Sequence, residues 1–215
     1  MFMVELGWFF LMISLSMSLY GKLLPPYYFK AKGLSILNLP VGLAGQLISP
    51  SRGLFIFVPL TLFTIFLVWH YRGYLQYRGL TLTCIAAILM HTLSMSMFRN
   101  WWGGYSYGPR FYTDVIPLFV VLAILSLDGA IRSNRILRFS DFGVAKTFFF
   151  LLSFSFGALL NGAGAISEGG AKWNSSPESL AKNQMRAFDL KRSQFMCALF
   201  PSLLADKSPK SLPEE

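Results

Sequence analysis

The chain has 215 residues, of which 54% are apolar and 13% charged, and its mean hydropathy is +0.50. That charged share is about half of a soluble domain's, so composition excludes an ordinary water-soluble globule. The net charge of +9 (19 basic against 10 acidic residues) contains no basic run interleaved with aromatics; this excludes a nucleic-acid groove and directs the positive charge to anionic lipid or lipid phosphate.

A bilayer core of roughly 30 Å needs about 20 apolar residues in a helix. Five blocks approach that length, predicting an all-α polytopic membrane protein with about five transmembrane helices. The first is Leu6–Leu24. Glu5 stands where a signal peptide carries basic residues and no small-x-small site follows, so the block reads as a signal anchor or ordinary span. Pro25-Pro26 stops it. Leu34–Ile48 is apolar but broken by Asn38, Pro40, Gly42, Gly45 and Gln46, and reads as an interfacial or re-entrant segment.

Gly53–Trp69 is an uncharged second span, and Gly79–Phe98 a third with His91 inside it. The fourth, Val115–Leu127, is short unless extended back through Phe111. Val144–Ile166 is the fifth. Residues 168–215 form a polar tail, expected outside the cytoplasm. The loop after the second span and the loop after the fourth share one face. They carry Arg72, Arg78, Arg132, Arg135, Arg138 and Lys146, against Lys22, Lys30, Lys32, Arg52, Arg99 and Arg110 on the other face. Six against six leaves the positive-inside rule undecided. The first set lacks aromatic or glycine-rich company and reads as cytoplasmic anchors.

Cys84 and Cys197 read as unpaired thiols, since neither has metal or redox spacing. His70 and His91 form no ligand set; His91 reads as a polar residue packed in a bundle. No metal site, phosphate loop, dinucleotide fingerprint or serine triad appears. Asn174-Ser175-Ser176 matches the N-glycosylation pattern.

Two stretches carry chemistry. Arg99–Phe111 (RNWWGGYSYGPRF) holds Trp101, Trp102, Tyr105 and Tyr107 at a span boundary. An aromatic belt accounts for the rings, but not for Gly103, Gly104 and Gly108. Those glycines permit positive φ and close backbone approach, so an anion-binding nest of N–H groups is one expectation. Asp114 follows Arg110 at a spacing of four, which predicts one helix face and either an ion pair or a functional pair at the membrane edge. The second stretch is Ser49-Pro50-Ser51-Arg52-Gly53. Its serines can cap the second span, and Arg52 either snorkels or meets a phosphate.

SPSRGLFIFVP (Ser49–Pro59) and WWGGYSYGPRFYTDVIP (Trp101–Pro117) resemble the C-terminal half of bacterial GT-C superfamily membrane glycosyltransferases, similar to protein O-mannosyltransferases and lipid-A aminoarabinose transferases. The tail agrees: Lys172-Trp173-Asn174 with Pro177, then Arg186-Ala187-Phe188-Asp189 and Gln194-Phe195. Phe188 and Leu190 stand where that family usually has Trp. The resemblance implies a polyprenyl-phosphate-linked sugar as donor substrate, no other cofactor, and transfer on the outer face of a bacterial plasma membrane. It implies that Arg52 and Arg110 clamp the phosphate and that Gly103 and Gly104 allow close backbone approach. Trp101, Trp102 and Tyr107 would stack on lipid or sugar, and Asp114 would orient Arg110.

The family's catalytic acidic loop lies in its N-terminal half. Here the only acidic residue before Asp114 is Glu5. The catalytic residue is therefore unknown, and the chain reads as a C-terminal fragment or truncated homologue, with a missing N-terminal half or partner subunit. From other classes, a non-catalytic transporter or flippase component and a structural membrane subunit stay open.

Overall fold

The computed structural model of the chain describes residues 2–23, 34–133, 144–176 and 178–205. Pro25-Pro26, Lys30, Lys32, Arg135, Arg138, Pro177 and the last ten residues lie outside these, as do the side chains of Glu5 and Lys146. The described residues are all-α, without a strand, and divide into two compact units, Met1–Leu34 and Ser35–Glu215.

In the first unit, helix α1 (Phe2–Tyr20) ends at Gly21, short of the predicted Leu24. Gly21 has φ +62°, the left-handed conformation that terminates helices, and its N–H bonds Met17 O at 3.0 Å. Phe9, Phe10, Leu15 and Leu19 are all exposed on α1.

In the second unit, the segment with Pro40 in its first turn is helix α2 (Leu39–Ile48). It packs on α5 (Arg78–Ser96), with Gly42 so close to the Ser96 backbone that a Cβ there would overlap it. The predicted second span is two helices, α3 (Leu54–Phe57) and α4 (Leu60–Tyr71). The break is at Val58-Pro59. Proline lacks the N–H and its ring crowds the preceding turn, so Thr61 N bonds Val58 O at 3.0 Å instead of Phe57 O. Asn161, from α7 (Val144–Ile166), donates to the released Phe57 O at 2.9 Å. In apolar surroundings a freed carbonyl needs such a partner.

The fourth predicted span starts within one residue of Val115 and runs past Leu127, but does not extend back through Phe111. Arg110–Tyr112 is a 3₁₀ turn, and helix α6 runs over Ile116–Arg132, with Pro117 in its first turn. It packs against α4 and α5, around a core of Leu54, Cys84, Ile88, Tyr112, Val115, Phe119 and Leu122. His91, inside α5, places Nε2 2.6 Å from Phe111 O, a packed polar residue in the bundle. The tail is folded rather than merely polar. Short helices α8 (Glu168–Lys172), α9 (Gln194–Leu199) and α10 (Ser202–Ala205) and a 3₁₀ turn (Gln184–Phe188) help bury Trp173, Leu180, Ala187 and Cys197 with Trp101 and Trp102.

Among the described residues, two helices, α5 and α7, are long and apolar enough to cross a membrane. In α7 only 6% of the most apolar stretch is buried. Phe148, Phe149, Phe150, Leu151, Leu152, Phe154, Phe156, Leu159 and Ile166 all face outward. Each such side chain in water forfeits about 1.5–3 kcal/mol relative to burial. A contiguous apolar face of nine such side chains marks a surface that meets a membrane or a protein partner.

Candidate functional site

The site is built at one end of the second unit. The turn before α3, the loop between α5 and α6, and the tail after α7 meet there. Ser49 closes the first of these. Its hydroxyl accepts from Ser51 N and Arg52 N, both at 3.2 Å, and donates to Ala187 O at 2.6 Å. Gly53 N bonds Ser49 O at 2.7 Å, and a Cβ on Gly53 would come within 2.6 Å of that oxygen. Neither serine caps α3, whose N-cap is Gly53; Ser51 Oγ instead accepts Gln194 N at 3.1 Å.

This turn drives Arg52 into the interior, where it is 2% exposed. Nη1 donates to Ser106 O (2.5 Å), Gln194 Oε1 (3.0 Å) and Gly108 O (3.3 Å); Nη2 donates to Asn174 Oδ1 (2.5 Å) and Gly104 O (3.3 Å). The guanidinium carbon also lies 5.8 Å from the centre of the Trp173 ring. Every one of these acceptors is neutral. Burial lowers the Arg52 pKa to about 9, opposed by Tyr107, so Arg52 is a charged group at neutral pH held by dipoles alone.

The loop glycines serve that cation. Gly103, Gly104 and Gly108 have φ of +78°, +71° and +62°. The expected nest would have turned N–H groups toward an anion. A guanidinium has only donors, and the loop turns the carbonyls of Gly104, Ser106 and Gly108 onto it. Gln194 and Asn174 complete the cage. Gln194 Nε2 donates to Ser106 O (3.0 Å) and Gly170 O (2.9 Å), while Asn174 Nδ2 donates to Ser106 O (3.1 Å). Asn174 is 3% exposed, so the glycosylation pattern falls on a buried side chain.

The rings expected to stack on a ligand are engaged internally. Trp101 and Trp102 are 1% and 6% exposed, meet edge to face at 5.9 Å, and pack on the tail; Trp101 Nε1 donates to Gln184 Oε1 at 3.2 Å. Phe188, standing where the resemblance expects Trp, takes the aromatic place 5.9 Å from Trp101, whereas Leu190 is exposed. Tyr107 donates to Leu160 O of α7 at 2.9 Å, and its ring meets Phe57 edge to face at 5.3 Å. Burial raises its pKa to about 12, with Arg52 opposing. Arg186 lies 4.5 Å over the Trp173 ring and donates to the carbonyls of Glu178 and Ser176.

Arg110 and Asp114 are exposed. The helical spacing that predicted their pairing does not apply, because Arg110 sits in the 3₁₀ turn before α6, and no ion pair joins them among the described residues. Arg110 reaches Gly103 O at 3.5 Å. Both arginines line one small cavity with Gln46, Trp101, Trp102 and Tyr112, and the described residues lining it include no carboxylate. A larger cleft, about 530 Å³, lies beside Glu168, Lys172, Ser175, Ser176 and Leu204, where Glu168 and Lys172 pair with each other at 2.7 Å. No group of acidic, histidine or cysteine residues that could hold a metal occurs among the described residues.

No protein-family model, curated protein or solved structure matches this chain. Sequence reasoning reached Arg52 and the glycine-rich loop but not the acceptors that Asn174 and Gln194 supply across 122 and 142 residues. Their signal is an uncharged amide within a motif of otherwise aromatic and basic residues.

Proposed function

We propose that this chain is a multi-pass membrane protein that binds a polyprenyl-phosphate-linked sugar on the outer face of a bacterial plasma membrane, as a GT-C-like glycosyltransferase portion. The observation that carries this reading is an exposed arginine, Arg110, on a loop tied to one end of an outward-facing apolar helix, with no carboxylate among the described residues that line the cavity beside it. Tyr107 ties the loop to α7 at Leu160, near that helix's last turns. A lipid chain along α7 and a phosphate at Arg110 suit the two surfaces. Arg52, already engaged by five acceptors, shapes the loop; Arg110 is the arginine free to meet the phosphate, with Gly103 and Gly104 behind it. Asp114 is placed near the entrance by sequence alone.

The cavity's lack of carboxylates favours donor binding over transfer by this chain alone, so binding is the activity to measure. In nanodiscs, Arg110→Ala should weaken a fluorescent polyprenyl phosphate by about tenfold, the loss of one charge-assisted contact at roughly 1.4 kcal/mol. Binding equal to the unaltered chain would rule the reading out.

A further inference from the structure

Four buried side-chain polar atoms lack a hydrogen-bond partner among the described residues: Gln46 Oε1, Arg52 Nε, Ser96 Oγ and Tyr112 Oη. Native interiors rarely leave such groups unpaired. Three of the four belong to residues lining the single cavity next to Arg52, and Gln46, Arg52 and Tyr112 are 3%, 2% and 1% exposed. The cavity volume is about 10 Å³, the room one water needs.

Two of the three groups define what can sit there. Arg52 Nε–H only donates and Gln46 Oε1 only accepts, while the Tyr112 hydroxyl, which does either, also interacts with the Thr92 side chain. The Gln46 amide is oriented, because its Nε2 donates to Trp101 O at 3.3 Å and so leaves Oε1 for the cavity. Gly45 lets the Trp101 ring close over this spot; a Cβ there would overlap the ring. The occupant must therefore accept and donate through one heavy atom. A phosphoryl oxygen could accept from Arg52 but would face Gln46 Oε1 without a proton. An ammonium would face the guanidinium. A methyl would leave Arg52 Nε and Gln46 Oε1 unpaired.

We infer that this cavity, beside Tyr112, binds one structural water, which accepts from Arg52 Nε–H and donates to Gln46 Oε1. The water completes the hydrogen bonding of the buried guanidinium and joins α2 to the loop. It also removes the last free N–H of Arg52 from ligand contact. The inference does not depend on the proposed lipid, since the same two groups call for water with or without one.

X-ray hydroxyl-radical footprinting of the full chain in nanodiscs tests it, because bound water generates radicals where bulk solvent cannot enter. Tyr112, although buried, should be labelled, and Gln46→Met should cut that labelling several-fold. No labelling of Tyr112, or labelling unchanged in Gln46→Met, overturns the inference. An experimental structure of the unaltered chain decides the matter should the variant not fold. A lone oxygen peak at hydrogen-bond distance from Arg52 Nε and Gln46 Oε1 supports it. A cavity without density, or density continuous with a sugar hydroxyl or phosphate entering past Arg110, overturns it.

Discussion

Arg52 is a cation in a cage of neutral oxygens, and its chemistry explains why the residue is arginine. Five acceptors from three chain segments surround a planar fork with donors on two terminal nitrogens. Lysine carries the same charge on a single point with three donors. Arg52→Lys therefore orphans buried acceptors, each worth about 1–3 kcal/mol. A loss of about 2–4 kcal/mol should appear in denaturant unfolding followed in detergent; an unchanged midpoint would mean that the cage is not a structural centre. Tyr107 gives a second, pH-dependent handle. An unperturbed tyrosine ionises near pH 10, whereas Tyr107 ionises at about 12. Between these values the unfolded chain releases the proton first, so the stability Tyr107 contributes is complete below pH 10 and drains away as pH rises to 12. Tyr107→Phe should be less stable than the unaltered chain at neutral pH, by about 1 kcal/mol for the lost bond to Leu160 O. The gap should close between pH 10 and 12 in paired thermal melts; a gap constant across that range would exclude a buried, proton-holding hydroxyl. At this scale the sequence exposes the important residues but not their direction. Glycines followed by arginine suit an anion nest and a carbonyl cage equally, and only the position of Arg52 relative to the loop distinguishes them.

Among the elements, the α3–α4 break shows how an apolar run can mislead. Gly53–Trp69 is uncharged throughout, and its hydropathy hides the one residue that matters, Pro59. The break costs a backbone bond that Asn161 restores from α7, so proline and asparagine form a matched pair separated by 102 positions. Asn161→Leu should lower stability by about 0.6–1.7 kcal/mol, the range for interhelical polar contacts in membrane bundles. Pro59→Ala lets an N–H and an unbroken helix return, so Thr61 N can bond Phe57 O. A double-mutant cycle should then be non-additive, with Asn161→Leu nearly neutral in the Pro59→Ala background. Additive losses would show that Asn161 acts elsewhere. The long block Val144–Ile166 was legible to its bounds, since a continuous apolar run of that length leaves few alternatives. The start of α6 was legible to one residue at Val115, whereas the turn that stops it from extending back through Phe111 was not. Gly108 and Pro109 set a 3₁₀ turn at Arg110, and a periodic pattern cannot report a local change of helix type.

On the scale of the whole molecule, the two kinds of surface sit at defined places. The outward side chains of α7 are apolar over about 20 residues, while the turn at Arg52, the Trp101–Arg110 loop and the folded tail gather at one end. Alternation of the helices explains this gathering. α3 begins, α5 finishes, α6 begins and α7 finishes at that end, so the segments joined there must share a face if the helices cross a bilayer. Basic residues tie at six against six in the sequence, and that tie counts Arg52, which is buried in the loop's cage rather than facing a lipid surface. With Arg52 set aside as a buried residue, the count leans toward a cytoplasmic Arg72–Arg78 loop. Single-cysteine labelling tests that orientation with two positions. Tyr105 is 76% exposed at the gathered end, and Gly73, in the loop after α4, has nothing within 4 Å of a built Cβ. In intact cells with Cys84 and Cys197 replaced by alanine, a membrane-impermeant maleimide should modify Tyr105→Cys directly and Gly73→Cys only after permeabilisation. The reverse pattern would place the Arg52 cage in the cytoplasm, where a donor used on the outer face cannot reach it. Equal labelling of both in intact cells would mean that the helices between them do not separate two compartments, and the apolar surface of α7 would then need a protein partner instead of lipid.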